Sequence, residues 1–398
     1  MIPLRLARFT ASSCLGRGLE ATLTALRHHG GGLAPCHFET VADLETYLGE
    51  VPGVDKAPLP PNLSAFDCRN NRLALLTLQQ DGFGSAVEAA MARYGRRRVG
   101  ILLGTSTAGI LQTEQAYRHR DPSTGALPDD FNYRGTHNIY SLADFVRHWF
   151  RLEGPAMVVS TACSSSAKVF ASAARLLAAG LIDAAIVGGV DSLCLTTLYG
   201  FNSLELLSNQ PCRPFDADRK GLSIGEAAAF VLLERPGASL DADEVLLLGT
   251  GESSDAHHMS APHPDGLGAR MAMTAALRSA GLQAADIDYI NLHGTATPSN
   301  DAAEGKAVVA LFGDRTPCSS VKGATGHTLG AAGGLEAVIC ALALQHGFMP
   351  GGINTLHPDP AIPIRYLTAN SPLAPRRVMS NSFGFGGTNC SLVLGRAA

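Results

Sequence analysis

Cys163 has the sequence surroundings of a reactive residue. It lies in the segment STACSSS, residues 160–166, between an apolar stretch and an Ala-rich stretch. A cysteine at the point where a strand passes into a helix is stabilised as a thiolate by the helix dipole and by free N–H groups. Small neighbours leave room for an acyl group. A buried, inert thiol is the alternative that we keep for the other eight cysteines, whereas for Cys163 the pattern predicts a nucleophile.

Two histidines follow apolar stretches in the second half of the chain. His293 stands in NLHGTATP, residues 291–298, and His327 ends KGATGH, residues 322–327. A single histidine after a strand is more often a satisfied core residue than a catalyst. Two of them, each beside a glycine in a predicted strand-end loop, favour an active site, because α/β folds place such sites at the carboxyl ends of strands.

The segment NSFGFGGTN, residues 381–389, combines glycines with two phenylalanines. Its glycines allow backbone turns that other residues avoid. Its N–H groups are suited to face an oxyanion, and Phe383 and Phe385 are suited to form the wall of a pocket. The alternative, a phosphate-binding loop, is disfavoured because the GxGxxG spacing is absent and no Lys-Ser/Thr pair follows.

Short apolar stretches alternate with Ala-rich stretches, which predicts an α/β fold with sheets buried on both faces. The expected strands are 98–104, 156–161, 184–188, 228–234, 244–249, 289–292 and 390–394, and the expected helices are 19–28, 73–94, 166–179, 268–280, 301–312 and 330–346. Residues 158–179 and 318–346 share an order of strand, turn, small residues and helix. Two homologous halves would produce this repeat, although any α/β fold repeats such turns.

Composition excludes several classes of protein. Of the 398 residues, 46% are hydrophobic and 17% are charged, with a net charge of −4. Such a chain can bury a large core, and it lacks the basic character of a nucleic-acid-binding protein. The nine cysteines stand singly, which disfavours structural zinc and predicts reduced thiols in a cytoplasmic protein. We expect no membrane span, because no apolar run reaches about 18 residues. The alternative of a signal or transit peptide at the start is disfavoured by its short, broken apolar stretch.

Together these motifs resemble those of the decarboxylating β-ketoacyl-acyl carrier protein synthases of the thiolase superfamily. The resemblance covers the chain from about residue 97 and is weaker from residue 4. It rests on residues 161–166, 293–298, 322–327 and 381–389 in this order, joined by 212–216 and by Gly225 with Glu226. The first ten residues depart from the family, because they lack its valine-rich first strand.

The resemblance implies a role for each matched residue. Cys163 would accept the acyl chain from its carrier, and His293 and His327 would donate hydrogen bonds to the thioester carbonyl of the malonyl extender. The other implied roles are Lys322 with Glu336 ordering the site, the N–H groups of Cys163 and Phe385 forming the oxyanion hole, Thr295 and Thr297 contacting the pantetheine arm, and Phe383 lining the substrate pocket. No metal and no cofactor is expected, because the substrates arrive on the phosphopantetheine of acyl carrier protein.

The resemblance also implies a fold and partners. The expected fold is thiolase-like, five layers in the order α-β-α-β-α with mixed sheets, built from residues 1–237 carrying the cysteine and residues 238–398 carrying the histidines. We expect a homodimer, or a heterodimer with a related ketosynthase subunit, in which the strand near 184–191 runs beside its twin. The acidic carrier would dock on Arg69, Arg72 and Arg213.

Two points stay open in the sequence. Residues 255–266, DAHHMSAPHPDG, are similar to the condensing enzymes of aryl-polyene pathways, which would extend unsaturated, aromatic-capped chains. The histidines of this segment, His257, His258 and His263, resemble a metal-binding cluster, but a polar loop at the pocket mouth is the favoured interpretation. The alternatives to a condensing enzyme are a catalytically silent chain-length subunit, which typically replaces the nucleophile, and a Cys-His hydrolase, which the paired histidines with Lys322 fit less well.

Overall fold

The computed structural model describes residues 1–40, 44–237, 240–241 and 244–397. The strands are β1 Leu4–Ser13, β2 Gly16–Arg17, β3 Ala34–Pro35, β4 Tyr47–Gly49, β5 Val99–Gly104, β6 Ala156–Val159, β7 Ala184–Asp191, β8 Ile224–Gly225, β9 Ala227–Glu234, β10 Val245–Ser254, β11 Tyr289–Asn291, β12 Pro317–Ser319, β13 Arg365–Tyr366, β14 Arg377–Gly384 and β15 Thr388–Arg396. The α-helices are α1 Gly18–Arg27, α2 Arg69–Leu78, α3 Phe83–Tyr94, α4 Ile110–Arg118, α5 Ser141–Phe150, α6 Ser165–Ala178, α7 Leu195–Ser203, α8 Leu267–Ala280, α9 Pro298–Phe312, α10 Lys322–Thr325 and α11 Ala332–His346.

The long strands form two sets with the same pairing pattern. The first set has the order β1-β9-β7-β5-β6, with antiparallel β1–β9 and β9–β7 pairs followed by parallel β7–β5 and β5–β6 pairs. The second set, β10-β15-β14-β11-β12, repeats these directions pair by pair. The repeat that the sequence suggested is therefore one of topology, not only of local turns.

Helices α6 and α11 lie between the two sets of strands. Helix α6 contacts β5 and β7 of the first set and β10 and β15 of the second, and α11 likewise contacts strands of both. Every residue of α11 from Ala332 to Leu344 is buried. Helices α2, α3 and α5 cover the outer face of the first set, and α8 covers that of the second. These are the five predicted layers, and the fold class is confirmed.

Close packing in the central layer depends on glycine. A Cβ placed on Gly104, at the end of β5, would lie 2.4 Å from the backbone nitrogen of Ser166 in α6. A Cβ on Gly333 would lie 2.7 Å from the Cβ of Ala167. Real Cβ atoms do not approach so closely, so these glycines let α6 meet β5 and α11 and bring the two helix N-termini together.

Several sequence predictions differ from the structure. The stretch 73–94 forms two helices. The first ends at Leu78, and the left-handed φ angles of Asp81 and Gly82, 54° and 68°, turn the chain before the second begins at Phe83. The first ten residues form most of β1 despite lacking the valine-rich pattern. The sets of strands are also joined, since β1 pairs briefly with β10 in one sheet of 12 strands. The predicted domain boundary after residue 237 stays a prediction, and residue 238 lies outside the described residues.

The prediction that β7 forms the dimer edge is wrong. Strand β7 pairs with β9 on one side and with β5 on the other, so both of its edges are occupied. The strand that ends this side of the sheet is β6, which pairs only with β5 in the described chain. Met157 of β6 is 42% exposed. A sheet continuing into a second subunit would therefore continue from β6.

Residues 329–346 are long and apolar enough to cross a membrane by length and composition alone. However, 89% of this stretch is buried inside the protein. It forms the end of the turn after His327 and the whole of α11, the central helix of the fold. Its hydrophobicity is explained by packing against helices and strands on all sides.

Candidate active site

The turn between β6 and α6 places Cys163 directly before the first turn of a buried helix. Ala162 adopts a left-handed φ of 50°, a conformation that non-glycine residues avoid and that is common at functional sites. The N–H of Ser164 donates to the Thr161 carbonyl at 3.3 Å, which closes the turn. The small side chains predicted around Cys163 are thus required by the tight turn as well as by the pocket.

Burial and nearby charge act in opposite directions on the Cys163 thiol. Burial raises its pKa to about 11, while the charge of Lys322 and the N–H groups of Phe385 and of Cys163 itself lower it. The thiol is therefore mostly protonated when the pocket is empty. The same N–H groups of Phe385 and Cys163 point toward the sulfur, where an oxyanion on an attached acyl group would form.

His327 lies beside Cys163, held by the short strand β8. Its N–H donates to the Ser223 carbonyl at 2.7 Å and its carbonyl accepts from the Gly225 N–H at 3.0 Å. Its Nε2 lies 2.9 Å from the sulfur of Cys163. The backbone N–H of Leu329 donates to its Nδ1 at 3.3 Å. Because Nδ1 accepts a hydrogen bond, the proton of the neutral ring lies on Nε2 and faces Cys163.

His293 faces the same point from the loop after β11. Its ring stands 5.3 Å from that of His327, at 84° to it. The ammonium of Lys322 lies 3.4 Å from its Nδ1, which leaves the proton on Nε2 here as well. Burial and the charge of Lys322 lower the pKa of both imidazoles well below the usual range. Both rings are therefore neutral N–H donors near pH 7.

Lys322 and Glu336 form a buried ion pair behind His293, with side-chain exposures of 1% and 2%. The Lys322 ammonium also donates to the carbonyl of His293 at 2.5 Å. Burial raises the pKa of Glu336 to about 7, while the charge of Lys322 opposes that rise. The pair fixes the ammonium where it contacts both the backbone and the ring of His293.

Glu304, which the sequence motifs did not single out, supports the loop of His293. Its carboxylate accepts the N–H groups of His293 and Gly294, each at 2.8 Å, and the side-chain amide of Asn381 at 3.2 Å. Glu304 is 1% exposed on α9, and burial raises its pKa to about 7. The available signal was a glutamate within a helical stretch of mostly small and apolar residues, DAAEGKAVVALF.

One pocket connects Cys163, His293 and His327 to the surface. It is lined by Cys163, Phe201, Leu206, Leu222, Asp255, Ser260, Ala261, Pro262, His293, Thr295, Thr297, Ser299, Asn300, His327, Phe383, Gly384, Phe385 and Asn389. The rings of Phe201 and Phe385 lie 5.5 Å apart. The hydroxyls of Thr295 and Thr297 lie 2.9 Å apart within the pocket wall. All four predicted motifs thus meet in this pocket.

Two family domains match this chain, one in each half. Residues 71–238 match the domain described as "Beta-ketoacyl synthase, N-terminal domain", and residues 245–356 match "Beta-ketoacyl synthase, C-terminal domain". The chain belongs to the beta-ketoacyl synthase family. This family consists of acyl-transferring condensing enzymes, so the chain is identified as an acyltransferase.

Similar proteins cover between 61% and 99% of this beta-ketoacyl synthase chain. The 3-oxoacyl-[acyl-carrier-protein] synthase 2 of Vibrio cholerae is 31% identical and covers 96% of each chain. The mitochondrial 3-oxoacyl-[acyl-carrier-protein] synthase of Arabidopsis thaliana is 41% identical over 61% of this chain and 57% of its own length. A solved ketosynthase from Xenorhabdus doucetiae, in complex with its chain length factor, is 40% identical, with a TM-score of 0.88 and coverage of 99% and 98%.

The Cys-His-His group of this synthase also has the spacing of a metal site. One atom each from Cys163, His293 and His327 lie within 4.8 Å of one another. A metal would need a free lone pair on each imidazole, whereas the hydrogen bonds at both Nδ1 atoms leave Nε2 protonated. The nearby Lys322 ammonium also repels a cation. The geometry therefore favours two hydrogen-bond donors over two metal ligands.

The His-rich loop lies at the pocket mouth, as the polar-loop interpretation expected. His257, His258 and His263 are exposed or half-exposed, and the rings of His257 and His263 lie 5.1 Å apart. Among the described residues, these histidines belong to no group of three metal-ligating side chains. The N–H of Gly386 donates to the Met259 carbonyl at 2.7 Å, so this loop packs on the segment carrying Phe385.

The structure argues against carrier docking by Arg69. This arginine is 2% exposed. Its guanidinium contacts Glu226 at 2.7 Å, Asp55 at 2.6 Å and Glu50 at 3.0 Å, which leaves no free face for a partner. The sequence indicated the charge of Arg69 but not its burial in a network that ties α2 to Glu226, between β8 and β9.

The other two arginines predicted to dock the carrier differ in availability. Arg72 makes two contacts of 2.6 Å with the carboxylate of Asp67 and is partly buried. Arg213 is half-exposed, and its guanidinium donates a hydrogen bond to the side chain of Gln210 at 2.8 Å. Arg213 is the better placed of the two, and docking by either stays a prediction.

Proposed function

We propose that the chain catalyses decarboxylative condensation of an acyl thioester held on Cys163 with malonyl-acyl carrier protein. The observation that carries this proposal is the pair of neutral imidazoles whose Nε2–H groups face the sulfur. The reaction needs donors for a negatively charged oxygen and no metal. Two protonated imidazole nitrogens supply such donors inside a water-poor pocket, where each is worth more than in solution.

The first step transfers the acyl chain from its carrier to Cys163. The sulfur attacks the carrier thioester, a tetrahedral oxyanion forms between the N–H groups of Cys163 and Phe385, and the carrier thiol leaves with the proton. His327 is not the base in this step, because its Nε2 already bears a proton. Forming an acyl-enzyme splits the condensation into two easier steps.

The second step breaks the bond between the malonyl carboxylate and its methylene carbon. CO2 leaves, and the electron pair becomes an enolate whose oxygen accepts hydrogen bonds from His293 and His327. The enolate carbon then attacks the acyl group on Cys163, expelling the thiolate and leaving a β-ketoacyl carrier. Thr295 and Thr297 would contact the pantetheine arm, since both line the pocket between these rings and the mouth.

The proposed partners are an acyl carrier protein and a second ketosynthase subunit. The similar Xenorhabdus ketosynthase was solved in complex with its chain length factor. In this chain the open edge of β6 is the place where a second sheet would pair. A silent chain-length subunit is the alternative function, and the complete set of Cys163, His293 and His327 favours the catalytic one. A cytoplasmic location accompanies the proposal, because all nine cysteines are free thiols.

Mass spectrometry and CO2 release test the proposed reaction directly. The full chain is incubated with an acyl carrier thioester and then with malonyl carrier thioester. We expect an acyl adduct on Cys163, followed by CO2 and a carrier extended by two carbons. A chain that forms neither adduct nor CO2, alone and with a related subunit, would be a silent partner. Adduct hydrolysis without condensation would identify a hydrolase.

The pathway is tested by the choice of acyl chain. The expectation of an aryl-polyene substrate stays a prediction that concerns the acyl chain and not the reaction. A panel of saturated acyl carriers and of unsaturated, aromatic-capped acyl carriers measures kcat/KM for each. Preference for the unsaturated chains supports the aryl-polyene assignment, and preference for saturated chains places the enzyme in fatty-acid elongation.

A further inference from the structure

Asp191, the last residue of β7, collects an unusual number of hydrogen bonds. Its side chain is completely buried. The carboxylate accepts hydrogen bonds from Thr105 Oγ1 at 2.7 Å, Ser106 N at 2.7 Å, Thr107 N at 2.9 Å, Thr107 Oγ1 at 2.9 Å and Gly330 N at 2.5 Å, and from the Ser106 hydroxyl. It takes no direct part in either step of the proposed reaction.

These hydrogen bonds join two loops from different halves of the fold. Residues 105–107 follow β5, whereas Gly330 belongs to the short turn that follows His327. A Cβ on Gly330 would lie 2.7 Å from Asp191 Oδ2 and 2.9 Å from the Ser106 nitrogen. The turn after His327 can therefore rest on the carboxylate only because residue 330 has no side chain.

The neighbouring residue shows that this turn is held under strain. Leu329 adopts a left-handed φ of 53°, a conformation that a bulky side chain avoids unless the surroundings impose it. In this conformation its N–H points at Nδ1 of His327, at 3.3 Å. That single hydrogen bond determines which nitrogen of His327 carries the proton facing Cys163.

We propose that Asp191 is a positioning residue for the CO2-releasing step, acting through Gly330 and Leu329 to hold His327 as the Nε2–H donor. The inference rests on the proposed function. Asp191 neither lines the pocket nor makes a hydrogen bond to the sulfur, so its effect on His327 passes through the turn at 329–330. Without this anchor the left-handed turn relaxes, and His327 populates the tautomer that presents a lone pair to the enolate oxygen.

The two chemical steps should respond differently to loss of Asp191. Acyl transfer uses the N–H groups of Cys163 and Phe385, which do not depend on the turn after His327. The negative charge of Asp191 also raises the pKa of the Cys163 thiol, so its removal favours the thiolate. Release of CO2 uses the His327 donor and loses it. A merely structural role would slow both steps together.

Asp191→Asn tests the inference, with Asp183→Asn as the matched control. Asp183 stands just before the other end of β7 and pairs with Arg98 and Arg235 at the surface. For Asp191→Asn we expect CO2 release to fall by about 10²-fold, the loss typical of one oxyanion donor, with KM for malonyl carrier within about threefold. Acylation of Cys163 should proceed at the wild-type rate or faster. Asp183→Asn should leave both steps unchanged.

Gly330→Ala tests the same contact from the opposite side if Asp191→Asn does not fold. The added Cβ separates the turn from the carboxylate without changing any charge, and we expect the same selective loss of CO2 release. Equal losses in both steps, or none in either, in the folded variant would overturn the inference. Wild-type protein that forms no acyl-enzyme and releases no CO2 would instead overturn the proposed function, so the two failures are distinguishable.

Discussion

Two turns occupy equivalent places in the two halves of the molecule and carry different chemistry. Each turn follows the third strand of its set in chain order, β6 or β12, and leads toward a central helix, α6 or α11. Between β6 and α6 only residues 160–164 intervene, and they deliver Cys163 to the helix N-terminus. Between β12 and α11 residues 320–331 intervene, and they carry Lys322 and His327.

The difference in length explains the difference in function. A short turn leaves its side chain near the positive end of the helix dipole, which suits a thiolate or an oxyanion. The longer turn adds α10 and a strained step at Leu329, so that a ring can point back at the sulfur. Repetition of one unit has thus given the site a nucleophile from one copy and a hydrogen-bond donor from the other, facing each other.

Removing the nucleophile should have the largest effect. In Cys163→Ala we expect no acyl-enzyme and a loss of condensation of at least about 10³-fold, the order found when a nucleophile is deleted. Release of CO2 from malonyl carrier should persist, because both histidines remain. Intact-mass analysis and CO2 measurement check the two steps. Cys318→Ala, which removes a buried thiol of β12, serves as the control. A surviving acyl adduct in Cys163→Ala would show that another residue is the nucleophile.

Removing the donor should give the opposite pattern. In His327→Ala we expect CO2 release to fall by about 10²–10³-fold, since one oxyanion donor is lost, while acylation of Cys163 falls by less than about tenfold. Rapid-quench measurement of adduct and CO2 separates the steps. His346→Ala, at the exposed end of α11, is the control. Unchanged CO2 release by His327→Ala would refute the role assigned to the second turn.

The reactivity of Cys163 should depend on pH, and the charge of Lys322 on the other turn should set how strongly the thiol is ionised. Because the pKa of this thiol is about 11, the thiolate fraction increases with pH. We expect alkylation by iodoacetamide to accelerate about tenfold per pH unit from pH 7 to 9. Lys322→Met removes a charge that lowers this pKa, so alkylation at a fixed pH should slow by about tenfold.

The exposed Lys306 supplies the control for the alkylation experiment. It lies on α9, and its side chain is 57% exposed. Lys306→Met should alkylate at the wild-type rate throughout the pH range. A wild-type rate that is flat between pH 7 and 9 would mean that the thiol is already ionised. In that case the helix dipole outweighs burial at Cys163, and the two turns are less interdependent than their charges indicate.

Sequence alone suggested the strand-to-helix repeat and located Cys163, His293 and His327, which meet in the pocket, because each lies in a motif with its own local signal. Three kinds of feature lay beyond it. Asp191 and Glu304 are single carboxylates whose partners come from distant loops. The resemblance places Arg69 among the docking arginines, but its burial depends on Glu226, which lies far along the chain. The pairing of β7 on both edges is a property of the sheet and not of its sequence.

The smallest expected effect concerns docking of the carrier. Arg213 is half-exposed, and Lys220 is exposed two residues before Leu222 of the pocket lining. An acidic carrier that docks on this segment would meet both charges. Since an exposed ion pair contributes about 0.2–1 kcal/mol, Arg213→Glu and Lys220→Glu should each raise KM for carrier substrates by up to about fivefold, with kcat unchanged.

A control at a distant arginine distinguishes an effect on carrier docking from an effect on the two chemical steps. Arg97→Glu changes a side chain that is 84% exposed and pairs with Glu153, and it should leave KM at the wild-type value. The increase in KM should shrink as salt is added, because exposed charges are screened. If Arg213→Glu changed kcat instead of KM, its effect would reach the turns through the loop it belongs to, and the carrier would dock elsewhere on the surface.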